Sequence, residues 1–77
     1  MVRANDDEPL ILSHWHEWEI HGSDRRVILC VETPLELQPD RDGFDRRRLD
    51  ALVHEAANLM RSSASPIDRI RIVQSKE

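Results

Sequence analysis

The chain has 77 residues, with 15 acidic and 11 basic side chains, one cysteine, two glycines and four prolines. That length holds one domain and excludes a doubly wound nucleotide fold, an eight-stranded barrel or a cupin. Glycine only at Gly22 and Gly43 excludes a GxGxxG or Walker loop, and the single cysteine excludes an internal disulfide or a multi-cysteine zinc finger.

The first eight residues are polar, and Asp6, Asp7 and Glu8 lead into Pro9. They read as a disordered acidic tail rather than a secretory leader, which leaves one domain over 9–75. No run approaches the roughly 20 apolar residues of a membrane span, so the expectation is a small cytoplasmic protein. Charge is uneven along the chain. Residues 1–24 hold six acids and one base, net −5, whereas residues 25–77 hold nine acids and ten bases, net +1. An acidic chain with both tryptophans in its acidic half is a poor fit to nucleic acid.

Leu10 to Ile20 alternates in polarity and carries two aromatics, which predicts a strand. His21-Gly22-Ser23-Asp24 supplies turn chemistry, with Gly22 free to take the positive φ of a tight hairpin. Arg26 to Glu32 follows with the run Val27-Ile28-Leu29-Cys30-Val31, a second strand. Thr33-Pro34-Leu35-Glu36 spells a capping box with proline at the first helical position, so one helical turn is expected before Pro39.

The main helix should begin after Phe44, with Asp45 as its N-cap and Phe44 and Leu49 as a hydrophobic staple. Leu49, Leu52, Val53, Ala56, Leu59 and Met60 form one apolar stripe. Ser62 to Pro66 ends the helix, and Ile67 to Val73 forms the third strand. The fold class is therefore α+β: one small β-β-α-β domain, with a mainly antiparallel three-stranded sheet and one helix on one face.

With a two- or four-residue hairpin loop, Trp18 and Ile20 share a face with Val27, Leu29 and Val31, and Leu12, His14 and His16 continue it. This more apolar face should meet the helix. The opposite face carries Trp15, Glu17, Glu19, Ile28 and Cys30. Arg69 and Arg71 would find cross-strand partners in Glu17 and Glu19 if the third strand paired with the first. The expected strand order is accordingly 2-1-3.

One helix covers one face, so the other should stay open. Its apolar centre of Trp15, Ile28 and Cys30, rimmed by Glu17, Glu19, Arg69 and Arg71, has the composition of an interface. This points to a homodimeric or partner-docking interaction or regulatory module, which a small chain without disulfides favours.

A second class of function rests on His14 and His16. On a strand they project from one face about 6.5–7 Å apart, given a rise of about 3.3 Å per residue. That suits zinc or another divalent metal if a third ligand comes from elsewhere. His21 points to the other face and His54 lies at the stripe's edge, so neither suits as that ligand. Otherwise no cofactor is expected. Arg46, Arg47 and Arg48 in the first helical turn suggest an anion site, although Asp40, Asp42, Asp45 and Asp50 neutralise the segment. Catalysis is not expected: Cys30 in an apolar strand is inert, and Glu17 and Glu19 read as ion-pair partners of the two arginines.

Overall fold

The computed structural model describes residues 9–75; the tail expected over residues 1–8 lies outside them. The chain forms β1 (Ser13–His21), β2 (Asp24–Thr33), a helix α1 (Arg46–Arg61) and β3 (Arg69–Gln74). This is the expected β-β-α-β order of a small α+β domain, built on one three-stranded mixed sheet.

Gly22 makes the hairpin possible. His21 pairs with Asp24 across a two-residue loop. Gly22 takes φ +63° while Ser23 keeps a negative φ, as a type II′ turn requires. The register fixes the faces as the alternation predicted: Trp18 lies opposite Val27, His16 opposite Leu29 and His14 opposite Val31. Trp15 opposite Cys30 and Glu17 opposite Ile28 occupy the other face.

The expected strand order is corrected. The order is β1-β2-β3, and β3 pairs with β2 in parallel, Leu29 beside Ile70 and Val31 beside Ile72. The continuous apolar run of β2 suits the central position, where both faces and both edges are occupied. A 16-residue crossover helix returns the chain parallel to the strand it left. Asp68 clamps the junction: its N–H donates to Val27 O at 2.9 Å and its carboxylate accepts from Val27 N–H at 2.8 Å.

The helical turn expected at Thr33–Glu36 does not form. Thr33 Oγ1 does accept a backbone N–H, but from Leu35 at 3.2 Å, while the Glu36 carboxylate accepts from Gln38 N–H at 3.0 Å. Both are local turn contacts rather than a reciprocal cap. Leu35 buries its side chain at a bend in this segment, and Pro39 disfavours helical geometry at Gln38.

α1 starts where predicted. The Asp45 carboxylate accepts from the N–H of Arg47 at 3.0 Å and of Arg48 at 3.4 Å, satisfying two donors that a helix leaves open. At the other end Ser62 N–H donates to Asn58 O, and Arg61 in the last turn complements the dipole.

The core is Leu29, Val31, Leu35, Leu52 and Ala56, with Leu49, Leu59, Ile67, Ile70 and Ile72 against it. Every strand residue in that set comes from β2 or β3. The helix thus covers those two strands and leaves the same face of β1 open. Trp18 is 59% exposed and Ile20 68% exposed, contrary to the expectation that both would meet the helix.

Candidate functional site

The helix-free face is held by charge. Arg71 Nη1 donates to Glu17 Oε1 at 3.0 Å, Arg69 Nη1 lies 3.5 Å from Glu19 Oε1, and Arg71 Nη2 lies 3.9 Å from Glu19 Oε2. These are the pairings that suggested adjacent strands, yet they span β2. Two strand spacings come to about 10 Å, which a glutamate and an arginine reaching toward each other can bridge. Trp15 Nε1–H donates to Glu17 Oε2 at 2.9 Å, and His21 Nε2 lies 2.9 Å from Glu19 Oε1.

This lattice roofs the central strand. Ile28 is 1% exposed and Cys30 fully buried, although no helix covers this face. Long side chains cover apolar surface with their stems while keeping their heads wet. Of the three residues expected at the centre of an open patch, only Trp15 presents surface, 38% exposed. Burial raises the Cys30 thiol above its ordinary value, and the Glu17 carboxylate nearby pushes it the same way. The cysteine is therefore a poor nucleophile.

Both carboxylates titrate below the ordinary glutamate value of 4.5. For Glu17 the main cause is the Trp15 indole hydrogen bond, followed by the Arg71 charge, with desolvation opposing. For Glu19 it is the His21 hydrogen bond, then Arg69, again against desolvation. The unfolded chain binds these protons more readily, so the contribution to stability is complete above about pH 4.5 and is lost as pH falls through the lowered values. Urea unfolding between pH 5 and 3 should show stability falling with acid, and Glu17→Gln with Glu19→Gln should flatten that slope. An unchanged slope would mean that the lattice does not form in solution.

On the other face of β1, His14 and His16 point to the same side and are exposed. Among the described residues no hydrogen bond or ion pair engages either ring. Their cross-strand neighbours are Val31 and Leu29, so β2 offers no third ligand opposite them. Among the described residues no group of three or more metal-ligating side chains comes together. Arg25 stacks its guanidinium 4.9 Å from the Trp18 ring centroid, holding that indole on the surface.

Arg46, Arg47 and Arg48 stand in the first turn of α1. Arg46 pairs with Asp50 one turn on, at 3.5 Å, and the N–H groups of Arg47 and Arg48 are taken by Asp45. The cap thus occupies two of the donors that an anion would need.

The large exposed hydrophobics gather at β1. Leu12, Trp15, Trp18 and Ile20 stand on or beside it; Val53, Met60 and Val73 are scattered over α1 and β3. Sequence reading found the side chains but not their exposure, because alternation assigns a face without showing how far a single helix reaches across it. No helix among the described residues is long and apolar enough to cross a membrane. No family model, curated protein or solved structure matches the chain.

Proposed function

We propose that the chain is a small interaction module that joins a second copy of itself, with β1 as its contact strand. The observation that carries this reading is the concentration of exposed large apolar side chains on an edge strand. Trp15 projects from the helix-free face, with Glu17, Glu19, Arg69 and Arg71 as its charged rim over Ile28 and Cys30. Trp18 and Ile20 project from the other face, and Leu12 is exposed just before the strand. Aromatic anchors within a polar rim are the usual composition of a contact surface.

The edge itself adds to this. Among the described residues β1 pairs only with β2, and the outer edge of this nine-residue strand is a template for pairing. Neither lysine nor proline lies within β1 to discourage pairing.

Sedimentation velocity on the full chain at about 50 μM, in buffer without chelator, should give the mass of two chains. Trp15→Glu adds a carboxylate beside Glu17 at the contact and should raise the dissociation constant at least tenfold, roughly 1.4 kcal/mol. Circular dichroism checks that the variant folds. A monomer at every concentration, or a folded Trp15→Glu chain that dimerises as well as the parent, overturns this reading.

A further inference from the structure

We infer that β1 carries half of a transition-metal site, which β1 of a second copy completes with the same two histidines. The inference rests on the self-association through β1 proposed above and adds a ligand to it.

The starting point is which backbone groups of β1 are free. Val27 and Thr33 direct their carbonyls at β3, where they accept from Asp68 and Ser75. Alternation then turns Ile28, Cys30 and Glu32 toward β1, where their opposite residues are Glu17, Trp15 and Ser13. The odd-numbered residues of β1 therefore serve β2, and those of His14, His16, Trp18 and Ile20 face the open edge. These are also the residues whose side chains lie on the half of the sheet that the helix leaves uncovered.

A second β1 can add to this edge antiparallel about a two-fold axis, keeping matching faces together. Charge restricts the register. Centring on Glu17 sets that carboxylate against its own copy, and centring on Trp18 sets Glu17 against Glu19 of the second copy. Like charges directly opposite are destabilising.

Centring on His16 or on Trp15 avoids both clashes, and of the two only Trp15 sets His14 opposite His16. Trp15 then meets Trp15 of the second copy on one face. On the other, His14 meets His16 of the second copy, and His16 meets its His14. Directly opposite side chains on antiparallel strands have Cβ atoms about 4.5–5.5 Å apart, and i,i+2 neighbours lie about 6.5–7 Å apart along the strand.

Four imidazoles thus gather over one small area, each exposed and, among the described residues of the single chain, without a hydrogen-bond partner. Zinc takes four ligands tetrahedrally, with Zn–N about 2.0–2.1 Å, and imidazole suits zinc, copper and nickel. One chain supplies only two ligands, so the site exists only in the pair.

The test is sedimentation of the full chain with zinc chloride and, separately, with EDTA, alongside isothermal titration with zinc. The expected result is a dimer at least tenfold tighter with zinc, at one zinc per two chains, with tryptophan fluorescence changing over the same range. His14→Ala and His16→Ala should each abolish the zinc dependence while leaving the circular dichroism spectrum unchanged. A dimer equally strong in EDTA and in both histidine variants overturns the metal site and leaves the interaction module standing. Zinc binding at one per chain without dimerisation overturns the shared site. A monomer under every condition overturns both readings.

Discussion

Leu52→Ala should remove about 3 kcal/mol of stability, the typical cost of emptying a fully buried leucine site. Leu52 is the only large helix residue with no exposed surface, and it stands in the cluster of Leu29, Val31, Leu35 and Ala56. That cluster is where α1 holds the parallel pair β2 and β3 together, so its loss cannot be shared among many contacts. A domain of this size has roughly 4–11 kcal/mol in total, and the substitution takes a large fraction of it. Thermal unfolding should move down by about 15 °C, at roughly 4–8 °C per kcal/mol for this length. Val53→Ala, on the exposed flank of the same helix, should cost under about 0.5 kcal/mol. Equal effects at the two positions would show that the helix presents a different stripe to the sheet.

Thr33→Val should cost about 1.5 kcal/mol although it preserves shape and adds an apolar methyl. Thr33 is fully buried, and its hydroxyl accepts the Leu35 N–H just past Pro34. Proline donates no hydrogen bond, so this contact does much to fix the path from β2 into the segment that buries Leu35. Removing the acceptor leaves a donor in a dry position, which costs about 1–3 kcal/mol. Thr33→Ser keeps the acceptor and should lose less than Thr33→Val. Chemical denaturation of both variants separates the cases, and a valine variant as stable as the parent would show that the hydroxyl is dispensable.

The same threonine shows where local reading reached its limit. Thr-Pro-Leu-Glu has the composition of a helix start, and the hydroxyl does take a backbone N–H. Whether a turn or a helix follows depends on Leu35 finding the core, which spacing alone does not express. Asp45 is the opposite case: its carboxylate and the helical stripe that follows agree, and α1 begins as expected.

The faces of the sheet were legible because side chains alternate strictly along a strand, so the hairpin register settled them all. The neighbour of β3 was not. Arginine and glutamate are long enough to pair over an intervening strand, so their complementarity fits two strand orders equally. The apolar run of β2 carried the better signal for the central position. At the candidate site, the grouping of Glu17, Glu19, Arg69 and Arg71 was legible from charge. The burial of Ile28 and Cys30 beneath them was not, since it comes from the arginine stems crossing β2.

The parallel pairing of β2 with β3 also sets the order in which the sheet can assemble. The hairpin closes over two residues, whereas Val27 must meet Asp68, 41 positions away. Hairpins form in about 1–10 μs, and a long loop closes only against its chain entropy. During that interval the most apolar strand of the protein waits with one edge bare. Newly made chains are then exposed to mispairing through β2, a hazard of non-local topology rather than of the finished fold.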